Sequence, residues 1–189
     1  MYNKEIETLP VEKLRKLQNQ RLSEMLQRLY TRVPFYKRMF GELGLKPSDI
    51  KGVEDLHKLP FTQKTDLRDN YPYKLFAVPQ EEVVRIHASS GTTGKPTVVG
   101  YNRHDLEVFD EVVARSLVCA GAKPGMKLHN AYGYGLFTGG LGMHGGATKL
   151  GMAVIPVSGG MTERQLMILQ DFQPAVICCT PSYAQTLGE

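Results

Sequence analysis

Three short apolar runs, at 127–132, 152–157 and 175–179, alternate with segments of helical length. That alternation constrains the fold more than any other feature of the chain. Runs so short suit strands rather than helices, and strands joined through helices lie parallel, with right-handed crossovers. Residues 137–150 read as a glycine-rich helix between the first two strands. A second helix at 162–172 follows, with Thr162 and Gln165 expected as its capping-box pair. The third run is nearly all apolar, the pattern of a strand covered on both faces. Upstream, Leu106, Phe109, Val113, Leu117 and Ala120 share one side of a helix at 105–120, and Gly121 suits its C′ position.

The first third has a different texture. Leu14, Leu17, Leu22, Met25, Leu26, Leu29 and Val33 recur at helical spacing over 11–33, and Pro34 stops that helix. A short helix at 35–40 ends near Gly41 and Gly44, and Pro47, Pro60 and Pro72 then break the chain into turns. The expected class is α/β: a helical amino-terminal region at 1–75, then a mostly parallel βαβ layer at 76–189. A new helix should begin near Ser182, only seven residues before Glu189, so this second region is expected to be incomplete at its carboxyl end.

Composition excludes several classes of function. A hydrophobic content of 42% with 22% charged residues is that of a globular chain. The net charge of +4 is mild, and the six Lys/Arg against two Glu in 12–32 suit a solvated helix face. Neither a nucleic-acid nor a membrane partner is expected. No signal peptide or membrane-length apolar run is visible. Cys119, Cys178 and Cys179 make no disulfide framework or zinc-spaced set, and the reading is cytoplasmic.

The chemistry concentrates in Ser89-Ser90-Gly91-Thr92-Thr93-Gly94-Lys95-Pro96. Glycines let backbone N–H groups turn inward into an anion nest, hydroxyls add rotatable donors, and Lys95 adds a charge. A Ser/Thr/Gly-rich surface turn has the same composition. Strand-like residues flank the run on both sides, at 83–88 and 97–101, which implies a β-hairpin. The common P-loop reading fails: only Thr92 and Thr93 separate Gly91 from Gly94, and Pro96 pushes Lys95 away from a helix start.

Ser-Ser-Gly-Thr-Thr-Gly-Lys-Pro resembles the nucleotide phosphate loop of the acyl-adenylate-forming enzymes. With 85–101, Tyr132-Gly133-Tyr134-Gly135-Leu136-Phe137-Thr138-Gly139-Gly140, Val157-Ser158-Gly159-Gly160 and Cys178-Cys179-Thr180-Pro181-Ser182-Tyr183, the chain is similar to the phenylacetate–coenzyme A ligase branch along nearly its whole length. The broad superfamily places a lysine after the loop proline. Here Thr97 stands there and Lys95 precedes the proline, as in the phenylacetate branch.

The resemblance implies part of an acyl-adenylate synthetase large domain, with nucleotide and acyl binding in 76–189. It implies ATP-dependent ligation of phenylacetate or a similar aryl acid to coenzyme A, with Mg²⁺ and release of AMP and pyrophosphate, in phenylacetate catabolism. Ser89, Ser90, Gly91, Thr92, Thr93, Gly94 and Lys95 would hold ATP phosphates. The family's catalytic residues would lie beyond Glu189, so the 189 residues are expected to be an inactive amino-terminal fragment. A stand-alone nucleotide-binding or partner-docking module is the alternative. Partners would be small molecules, and a homodimer is left open.

Three further features have two readings each. Tyr132, Tyr134, Gly135 and Phe137 follow a strand and form either ordinary core packing or a flat slot. The resemblance makes them an aryl-acid pocket, with Tyr132 and Phe137 as walls. Lys64, at the start of a short helix, reads as a solvated lysine. The resemblance, in whose members this segment packs near the phosphate loop, makes it a candidate anion contact. Gly140-Leu141-Gly142-Met143-His144-Gly145 matches G-x-G-x-x-G, but the next strand ends without a carboxylate, so close helix packing explains it better. His87, His104, His129 and His144 share no metal-ligand spacing.

Overall fold

A computed structural model describes residues 1–89 and 94–189. These residues group into two compact units, Lys4–Gly100 and Met1–Asn3 with Tyr101–Glu189. The division falls at 100, not at the change of texture near 76. Arg32 donates to the Ala77 carbonyl at 3.3 Å, which ties 76–100 to the helical region.

In the first unit, α1 (Lys4–Glu7) precedes α2 (Val11–Arg32) and α3 (Pro34–Glu42). Val33 is extended between them, as a residue before proline must be, and Pro34 opens α3 where its missing N–H costs nothing. Leu22 and Leu26 of α2 bury against Phe40 and Ile50, and Tyr30 meets Phe40 edge to face at 5.8 Å. The apolar stripe of α2 is only partly covered: Leu14 and Met25 stay exposed. Two 3₁₀ turns, Pro47–Asp49 and Val53–Lys58, lead to α4 (Lys64–Asp69), and β1 (Arg85–Ala88) then pairs with β2 (Val98–Tyr101).

The second unit begins with α5 (Arg103–Cys119) and β3 (Lys127–Asn130), then α6 (Gly139–Leu150), β4 (Ala153–Ile155), α7 (Thr162–Phe172), β5 (Val176–Cys178) and α8 (Pro181–Gly188). The sheet order is β4-β3-β5, parallel throughout, with Leu128 opposite both Val154 and Val176. Gly121 takes φ +95, and Ala122 N–H bonds the Leu117 carbonyl, a Schellman ending to α5. The glycines of α6 serve helix packing. A Cβ at Gly142 would lie 2.6 Å from the Phe109 ring, and one at Gly146 3.1 Å from the Ala114 nitrogen. Side chains of ordinary size would hold α5 and α6 apart.

Two expectations need correction. The doubly covered strand is β3, in which Leu128, His129 and Asn130 are fully buried, whereas Ile177 of β5 is 40% exposed. Position in the sheet decides coverage, and β3 carries two polar residues because both find partners. The capping box of α7 does not form. Its N-cap is Met161, in the left-handed region at φ 54, and Gln165 turns its side chain to other acceptors.

Gln173, at the carboxyl end of α7, also sits left-handed at φ 46 and is exposed. Gln173→Gly is expected to stabilise the protein by about 1 kcal/mol, since only glycine adopts this backbone without Cβ crowding. A thermal melt should rise by roughly 2–4 °C.

Candidate functional site

The carboxyl ends of the three parallel strands open onto one cavity of about 490 Å³. Open α/β sheets bind ligands at this edge because the loops there are free to diverge. Ala131, Tyr132 and Gly133 follow β3 into its wall, Gly159 and Gly160 follow β4, and Thr180, Ser182 and Tyr183 follow β5. Glycine and hydroxyl groups therefore make most of the lining, with two aromatic rings.

Asn130, the last residue of β3, organises the turn beyond it. Its amide donates to the Tyr134 hydroxyl at 2.7 Å and to the Gly140 carbonyl at 2.9 Å. Its oxygen accepts from the Tyr132 N–H at 3.3 Å. The Tyr132 hydroxyl donates to the Cys179 carbonyl at 3.0 Å, joining the loops after β3 and β5. Tyr134 turns away from the cavity, and its hydroxyl lies 3.2 Å from His144 Nδ1 on α6. Burial raises the Tyr134 phenol above its usual range, partly opposed by the Asn130 hydrogen bond. Burial likewise pushes the Cys178 thiol up to about 11, so it stays protonated.

Of Tyr132, Tyr134, Gly135 and Phe137, only Tyr132 reaches the cavity wall. Gly135 is exposed, Phe137 is 66% exposed, and neither lines the cavity. Gly159, Gly160, Thr180, Ser182 and Tyr183 carried no assigned role in the sequence reading. The signal was present: each group follows a strand, and the carboxyl-end rule applied to all three strands finds them.

In the other unit, the neck of the Ser/Thr/Gly run is stapled across β1 and β2. Ser89 N–H donates to the Thr97 carbonyl, and Ser89 Oγ accepts from the Thr97 N–H and hydroxyl, all at 3.0 Å. The Ser89 hydroxyl proton is left as its remaining donor. Gly94 has φ +131, and Lys95 Nζ lies 5.9 Å from the Tyr71 ring centroid. Ser90, Gly91, Thr92 and Thr93 lie outside the described residues. Lys64 is exposed at the first residue of α4. Among the described residues no group of three or more His, Cys, Asp and Glu could hold a metal ion.

No family model matches the chain. Among solved structures, 2-hydroxyisobutyryl-CoA ligase in complex with 2-HIB-AMP and CoA matches with a TM-score of 0.89 and 33% identity, covering 95% of this chain and 40% of that one. The same enzyme in its postadenylation state with 2-HIB-AMP gives 0.88 and 32%. The fold is that of the adenylate-forming coenzyme A ligases. Among curated relatives, phenylacetate-coenzyme A ligase of Thermus thermophilus is 69% identical over all 189 residues, and that of Pseudomonas putida 57% over 184. The Escherichia coli protein of the same name is also 57% identical over 184 residues. The chain belongs to the phenylacetate–coenzyme A ligase family. It spans 42% of the length of each of these three relatives.

Proposed function

We propose that the chain supplies the phosphate- and acyl-handling part of an ATP-dependent ligase that joins phenylacetate, or a close aryl acid, to coenzyme A. The carboxylate oxygen attacks the α-phosphorus of ATP, and the bond to pyrophosphate breaks. The coenzyme A sulfur then attacks the acyl carbon, AMP leaves, and the thiol proton passes to solvent. The strand-end cavity with Tyr132 on its wall is the observation that carries this reading. A ring face and glycine backbone suit an aryl group, whose burial contributes about 25 cal/mol per Å² of apolar area. Ser89 to Lys95 neutralise phosphate charge, and phosphoryl transfer depends chiefly on such positioning. Lys64 adds a cation for the same anion.

The protein works on small molecules in the cytoplasm, in the breakdown of phenylacetate. Two observations support the setting: among the described residues no helix is long and apolar enough to cross a membrane, and all three cysteines are free. The test is incubation with ATP, phenylacetate, coenzyme A and Mg²⁺. A protein carrying the full length of the relatives should release AMP and form thioester in equal amounts, and the 189 residues alone should release none. ATP binding by the longer protein without phenylacetate-dependent AMP release would point instead to a nucleotide-binding module.

A further inference from the structure

Gln165 is a fully buried carboxamide in α7 that the proposed chemistry does not use. Both of its amide protons are taken by main-chain carbonyls, Ser158 at 2.6 Å and Gly160 at 3.0 Å. A carbonyl can only accept, so the amide nitrogen must face these two and Oε1 must face the third partner, His129 Nε2 on β3. The same logic places the His129 proton on Nε2. One side chain thus ties the central strand to the loop after β4.

That loop is costly to hold. Ser158 at φ 70 and Met161 at φ 54 are left-handed without being glycine, and such residues persist only where surrounding contacts over-determine them. Between them lie Gly159 and Gly160, which wall the cavity. Ser158 is pinned further: its N–H donates to the Asn130 carbonyl at 3.1 Å, and its hydroxyl accepts from the Tyr134 N–H at 3.4 Å. The loop therefore connects β3, α7 and the aromatic turn, and Gln165 supplies two of its bonds from a rigid helix.

We propose that Gln165 is a positioning residue that holds the Gly159–Gly160 wall in the shape that admits the acyl group. The inference rests on the ligase reading above. It is tested in a protein carrying the full length of the relatives, with Gln165→Met, which keeps the length and removes all three bonds. Gln165→Glu keeps an acceptor for His129 and, when ionised, loses both donors. Hydrogen exchange at 158–161 should accelerate about tenfold or more in both variants, with the amides of β3 and β5 unchanged. The KM for phenylacetate should rise about tenfold, with the KM for ATP within about twofold. Faster exchange with an unchanged acid KM, or a parallel rise in both KM values, overturns the proposal in favour of a purely structural role. In the unmodified protein, phenylacetate should slow exchange at Gly159 and Gly160, and no change there overturns it even if neither variant folds. Absence of phenylacetate-dependent AMP release by the unmodified protein overturns both this inference and the reading beneath it.

Discussion

Gly140→Ala is expected to destabilise the protein by about 3 kcal/mol, while Gly41→Ala is expected to stabilise it by about 0.5 kcal/mol. Both glycines lie in helices, and only their neighbours differ. A Cβ at Gly140 would fall on the Gly133 carbonyl oxygen, 2.9 Å from its carbon and 3.2 Å from the Tyr132 oxygen. Every one of these atoms is backbone, so none can swing aside as a flexible side chain would. Either α6 moves off the sheet or the 132–133 turn moves into the cavity, and Asn130 loses its hold on the Gly140 carbonyl. Nothing lies within 4 Å of a Cβ at Gly41, so there the substitution only raises helix propensity. Thermal melts check both signs. The Gly140 variant should melt roughly 6–12 °C lower, given about 2–4 °C per kcal/mol in a chain of this size. An unchanged melt would mean that the close approach of α6 to the cavity turn is not what requires glycine.

Lys95→Met should lower kcat/KM for ATP by roughly 10- to 150-fold in a protein carrying the full length of the relatives, with the KM for phenylacetate nearly unchanged. A hydrogen bond to a charged group contributes about 1.5–3 kcal/mol, and 1.4 kcal/mol is tenfold. Methionine keeps most of the stem but removes the charge, and with it the approach of Nζ to the Tyr71 ring. Tyr132→Ala should do the converse. It removes one ring from the cavity wall, about 1–3 kcal/mol of apolar burial, and raises the acid KM while leaving the ATP term alone. Equal losses for both substrates in both variants would deny the two-site assignment. Calorimetric titration with phenylacetate alone separates weakened binding from slowed chemistry.

What the sequence determined by itself is the set of features whose causes are local. Pro34 ends one helix and starts the next because it lacks an N–H and constrains Val33. Gly121 closes α5 because only glycine takes a left-handed backbone without strain. The order β3-α6-β4-α7-β5, and with it the parallel sheet and the strand-end location of the cavity, follows from alternating short apolar runs and helical segments. The spacing of the Ser/Thr/Gly run excludes a P-loop by itself. What only the tertiary structure decided depends on residues far apart in the chain. The apolar run at 175–179 has the pattern of a covered strand, yet coverage went to β3, because burial depends on which strand lies in the middle. Thr162 and Gln165 have capping-box spacing, but a buried donor on His129, 36 residues away, and two loop carbonyls claimed the carboxamide. Tyr132 and Phe137 are equally aromatic and five residues apart, and only the path of the turn put one ring on the cavity wall and left the other exposed.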